Sequence, residues 1–163
     1  MKTKHLLIAA TLCGMTTTAS AQSAALTEHN LSVDAAAKVA MGALEKCRAD
    51  GYKVSVTVIN RHIEMIAFLR DNDAQPQTAE NSDRKAYTAF ATRTPSGEMG
   101  KRPPQLVSAF MLNERMTTLE GGLPIKVGSE TIGGVGVGGA PGGDKDATCA
   151  QAGIDRIARD LGN

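Results

Sequence analysis

The chain has 163 residues, enough for one ordinary domain and one sizeable core, and 42% of it is hydrophobic. With no Trp, two Tyr and three Phe, that core must be filled by Ala, Val, Ile, Leu and Met. A formal charge of +1 leaves no strongly basic surface, which argues against a nucleic-acid partner or a polybasic membrane patch.

Residues 1–21 read as a secretory signal peptide. Lys2, Lys4 and His5 form a basic start, and Leu6 to Met15 an apolar run too short to span a bilayer. Ala19-Ser20-Ala21 then gives a small-x-small cleavage site before Gln22. The mature protein is expected in the periplasm or outside the cell, with no membrane attachment after cleavage. Cleavage removes two lysines and no acid, taking the charge to −1. It also removes Cys13 and leaves Cys47 and Cys149, an even pair in an oxidising compartment. A bridge would close a loop of about 100 residues; two separate buried thiols are the other reading.

Residues 22–30 show no period and read as a flexible leader, so the domain proper is expected over 31–163. From Ser32, a plausible N-cap, Val33, Ala36, Ala37, Ala40, Leu44 and Cys47 recur at helical spacing, and Gly51 closes the helix. Lys53 to Ile59 and Glu64 to Arg70 alternate around the polar corner Asn60-Arg61-His62, which predicts a hairpin. Asp71 to Gln77 is a loop. Thr78 to Thr92 reads as a second helix with Ala79, Ala86 and Phe90 inward, and a short helical piece follows the Pro103-Pro104 break near Gln105 to Leu112. Met116 to Leu119 is expected as a third strand. Pro124 to Val127 and Glu130 to Val137 make a second hairpin about Gly128-Ser129. Asp144 to Leu161 is the last helix, with acids near its positive end. This order predicts an α+β domain built on an antiparallel sheet.

Ten of the 17 glycines lie between Gly121 and Gly143. Gly134, Gly136 and Gly139 satisfy GxGxxG, but no second strand follows to complete a dinucleotide unit. Asp71-Asn72-Asp73 lacks the rest of a calcium loop, and no CxxC, HxxxH or HExxH occurs. Only His29 and His62 survive cleavage, one in the leader and one at a hairpin tip, so neither suggests a triad base. On the second helix, Glu80, Asn81, Arg84 and Lys85 form a polar set that is either a solvated, salt-bridged face or a ligand face. Met65, Met99, Met111 and Met116 could fill core or meet a flat apolar ligand. Their sulfur, or the His62 ring, is of a type that can ligate haem iron.

Several segments together resemble the GlcG/HbpS-type family of haem-binding or haem-degrading domains. They are the Leu31–Gly51 helix, the Val54–Leu69 hairpin, the run Arg84 to Ala89, and Glu120-Gly-Gly-Leu-Pro-Ile-Lys. The remaining two are Ile132-Gly-Gly-Val-Gly-Val-Gly-Gly-Ala-Pro-Gly-Gly-Asp-Lys-Asp and Cys149-Ala-Gln-Ala-Gly. The chain departs from the family pattern at Asn60-Arg61-His62-Ile63, where a Gly-Gly turn is usual, and at Gly138-Gly139. The resemblance implies a profilin-like fold with a five-stranded antiparallel sheet, its first and last helices on one face. That would place Cys47 and Cys149 on the same side. It also implies a homo-oligomer that binds haem. The expected ligand site is Glu80, Asn81, Arg84 and Lys85 with the Glu120-Gly121-Gly122 corner and Met99, Met111 and Met116. Arg84 and Lys85 would pair with the haem propionates, and His62 is the metal-ligand candidate. An enzyme acting on haem or a small carboxylate, and an accessory protein docking onto a partner, are the alternative expectations.

Overall fold

A computed structural model describes residues 26–162; the signal-peptide reading falls outside these residues. The order is α1 (Val33–Ala49), β1 (Ser55–Asn60), β2 (Met65–Arg70), α2 (Gln77–Thr92), a 3₁₀ segment (Ser96–Lys101), α3 (Pro104–Phe110), β3 (Gly122–Val127), β4 (Glu130–Gly138) and α4 (Gly143–Asp155). The strands form one sheet in the order β2-β1-β4-β3, and each neighbouring pair is antiparallel.

Two layers of helix cover this sheet, for different reasons. On one side Val54, Val56, Val58, Ile125, Val135 and Val137 form an apolar floor. Helices α1 and α4 lie on it with Val39, Ala43, Leu44 and Ala150 inward, joined by Ile157 just past the end of α4. The two helices cross where side chains vanish: a Cβ on Gly153 would stand 2.4 Å from the Val39 carbonyl oxygen. Cys47 and Cys149 meet there as a disulfide, with their Cα atoms 5.5 Å apart.

On the other side the glycine ribbon has a packing role. Gly134, Gly136 and Gly138 alternate along β4, so each presents a bare backbone to α2. A Cβ at these positions would lie 2.5, 2.0 and 3.2 Å from the carbonyl oxygens of Ala86, Ser82 and Thr78. Helix α2 therefore rests directly on the strand. From β1, Ser55 and Thr57 face the same helix and hydrogen-bond Thr78 and Ser82 through their hydroxyls, both at 2.8 Å. A seam of small and hydroxylated side chains replaces an oily core here, with the hydroxyls of Ser55, Thr57, Thr78 and Ser82 paired.

The sheet has four strands among the described residues, not the five expected. The missing one is Met116 to Leu119, whose backbone is held by side chains instead of a ladder. Thr117 N–H donates to Thr88 Oγ1 at 2.9 Å, and Ser96 Oγ donates to the Leu119 carbonyl at 2.6 Å. Helix α4 ends at Asp155 instead of Leu161; beyond it Ile157 N–H bonds Ile154 C=O, a tighter i→i−3 closure. Ala79, expected inward, is only half-buried, and Thr78 and Ser82 take the sheet-facing positions. No described helix is long and apolar enough to cross a membrane.

Candidate functional site

The buried centre of the predicted site is an ion pair. Lys85 reaches from α2 between β4 and the start of α4, and its Nζ lies 2.7 Å from Asp146 Oδ2 and 2.8 Å from the Val137 carbonyl oxygen. Both side chains are about 95% buried, at 5% and 4% exposure. Asp146 Oδ1 accepts the Ala140 N–H at 3.0 Å. Burial pushes the Asp146 carboxyl up from its ordinary range, and the Lys85 ammonium opposes that push. The Gly121-Gly122 corner makes room for the pair. Gly121 has φ +120°, and a Cβ there would stand 2.5 Å from Asp146 Cβ and 2.9 Å from Lys85 Nζ.

Above this pair opens a cleft of about 430 Å³. Asn81 and Lys85 form one wall, Glu120 another, and the loop Gly138–Gly143 at the positive end of α4 the third. Helix α2 and the glycine-rich loop thus converge here. Other members of the predicted set lie elsewhere. Arg84 pairs with Glu80 at 3.0 Å, one helical turn back, and neither lines the cleft. Met99 and Met116 are core residues at 1% and 3% exposure, while Met111 is exposed at the end of α3. Lys85 is not available as a free cation, because Asp146 already neutralises it.

His62 also departs from its expected role. It sits in the β1–β2 turn with Nε2 3.1 Å from Glu28 Oε1, and it lines neither this cleft nor the one described next. That turn is shaped by Asn60, whose Oδ1 accepts from His62 N–H and Glu64 N–H at 2.9 and 3.0 Å. Ile63 takes φ 65°, where a glycine would be unstrained.

A second cleft of about 510 Å³ lies beneath the leader, walled by Leu31, Ala35, Val127, Ile132 and Leu161. The end of the leader is fastened rather than loose. Asn30 Oδ1 accepts the Arg61 N–H at 3.1 Å, and Glu28 pairs with Arg61 Nε at 3.1 Å. His29, at the cleft edge, places Nδ1 2.9 Å from Glu130 Oε2. Glu130 also pairs with Arg61. These partners, His29 first, hold its carboxyl below the usual range. An ionised carboxylate only accepts, so the ring proton sits on Nδ1. No local pattern announces this arrangement, since Glu130 stands 101 positions from His29. Among the described residues no group of three or more His, Cys, Asp or Glu is placed to hold a bare metal ion.

Residues 31–155 match the family described as HbpS-like haem-degrading proteins. GlcG of Escherichia coli strain K12 is 30% identical over 107 residues, spanning 66% of this chain and 80% of GlcG. The crystal structure of HbpS superposes with a TM-score of 0.78 at 35% identity, covering 86% of this chain and 99% of that one. A structure described as a PduOC:heme complex gives a TM-score of 0.72 at 26% identity, covering 78% and 95%.

Proposed function

The chain belongs to the HbpS-like family, and on that premise we propose that it is an exported haem-binding protein. The haem complex of a structural relative supports the ligand class. The basic, apolar and small-residue pattern of residues 1–21 supports export. Helix α3, which buries none of its residues within one chain and leaves Leu106 and Phe110 exposed, supports assembly with further copies.

The two clefts differ in how they suit an iron porphyrin. The Lys85–Asp146 cleft does not fit. Its walls carry Asn81, Glu120 and a neutralised ion pair, and no His, Cys, Met or Tyr lines it, so it offers iron none of its usual protein donors. Its polar walls and backbone amides suit a small polar molecule instead.

The cleft beneath the leader does fit, and it is the observation that carries the proposal. Aliphatic side chains wall it, its volume lies within the range of about 300–1,000 Å³ usual for small-molecule sites, and an imidazole stands at its edge. At its rim Lys38 is paired with Asp160 at 2.8 Å and Glu28 with Arg61, and Asp34 adds a further carboxylate, so propionates would be left to solvent. When bound, haem would supply an iron centre for storage, transfer or sensing; the residues here seat its flat apolar body and exclude water from one face.

Titration of haemin into the mature protein is the direct test. A shifted and intensified Soret band that saturates near one haem per chain is expected at micromolar protein. A spectrum identical to free haemin in buffer would refute the proposal.

A further inference from the structure

We infer that His29 is the protein ligand to the haem iron, through Nε2, with Glu130 as the residue that orients its ring. The inference rests on the haem-binding reading and assigns the axial donor within it.

Haem iron takes protein ligands from His, Cys, Met or Tyr. Among the residues lining the cleft beneath the leader, His29 is the one of these types. Its Nδ1 is committed to Glu130 at 2.9 Å, and Nε2 has no hydrogen-bond partner among the described residues. Metal-bound histidines characteristically donate their other ring N–H to a carboxylate, which fixes the tautomer and raises the basicity of the ligating nitrogen. The His29–Glu130 pair has that form before any iron is present. The ring is also reachable, with 69% of its side chain exposed.

The backbone around His29 is held rigidly enough to place it. Its carbonyl accepts from Arg61 Nη1 at 3.4 Å, Asn30 accepts from the Arg61 and Leu31 amides, and Leu31 is 5% exposed in the cleft wall. Arg61 grips both Glu28 and Glu130, so one guanidinium joins the leader, the β1–β2 turn and the β3–β4 turn. Arg61 and His62 stand where the family usually has a glycine turn, and Arg61 is the residue that this departure turns to use.

The test compares wild type with His29→Ala, His29→Ala plus imidazole, Glu130→Gln and His62→Ala. Each protein is loaded with haemin and read by its Soret maximum and by the EPR signal of ferric haem. His29→Ala should lose the imidazole-ligated spectrum, and millimolar imidazole should restore it. Glu130→Gln should keep the spectrum but weaken haemin binding roughly 10-fold, the low end of effects at such orienting partners. His62→Ala should match wild type. A His29→Ala protein that binds haemin with the wild-type spectrum overturns the inference and leaves the haem-binding reading standing. A wild-type protein that does not bind haemin overturns both. Circular dichroism melts on the same samples separate loss of a ligand from loss of the fold.

Discussion

Replacing Lys85 by Met should destabilise the protein strongly, and more so as pH rises. The substitution keeps most of the side-chain volume but leaves Asp146, at 4% exposure, without its cation. Breaking a buried pair from one side typically costs about 3–5 kcal/mol. In the variant Asp146 keeps the Ala140 N–H but loses the ammonium that offset its burial, so its folded-state carboxyl rises further above the unfolded value. The sign follows from linkage. An acid whose folded pKa is raised binds more protons folded than unfolded, so it contributes stability at low pH that is lost as pH rises through the folded value. The deficit relative to wild type should therefore be smallest at acid pH and grow as pH rises above the ordinary carboxylate range. Thermal melts should show Tm falling on the order of 10–20 °C at the higher pH. Lys85→Met with Asp146→Leu should recover much of the loss, because no buried charge is left unpaired, although the Ala140 amide loses its acceptor and the Val137 carbonyl its Lys85 donor. A single variant within about 1 kcal/mol of wild type, with no pH trend, would refute the claim that this pair is ionised and buried.

Two further outcomes test the packing. Gly136→Ala puts a methyl 2.0 Å from the Ser82 carbonyl oxygen and 2.5 Å from the Ala86 nitrogen. Helix α2 would have to lift from the sheet, at a cost of about 3 kcal/mol or more in urea unfolding, whereas Gly138→Ala, with its nearest atom at 3.2 Å, should cost clearly less. Reduction, or Cys47→Ala with Cys149→Ala, opens a loop of separation 102 and should lower stability by up to about 4.7 kcal/mol. An unchanged denaturation midpoint with both thiols titrated as free would count against that.

Much of the architecture was legible because it rests on local periodicity. Apolar spacing placed α1 and α2, alternation placed the strands of both hairpins, and Gly128-Ser129 marked the turn between β3 and β4. The errors lie where a distant partner decides. Met116 to Leu119 is expected as a strand, yet the hydroxyls of Thr88 and Ser96 take its backbone. Lys85 sits at helical spacing from Asn81 and looks like a surface cation, but its partner, 61 residues away, draws it inside. Asp146 reads as a charge favouring a helix terminus, and it serves mainly as that partner. The glycines of β4, with Gly139, satisfy GxGxxG in the sequence, while their alternation records the close approach of α2. His29 was hidden by its setting. A histidine in an aperiodic segment carries no signal until the fold brings Glu130 to its ring.

The most direct test of haem seated against His29 is an anomalous difference map, collected at the iron edge from crystals of the mature protein grown with haemin. One iron peak per chain is expected within bonding distance of His29 Nε2, between the leader and α1. A peak in the Lys85–Asp146 cleft, or beside His62, would contradict it.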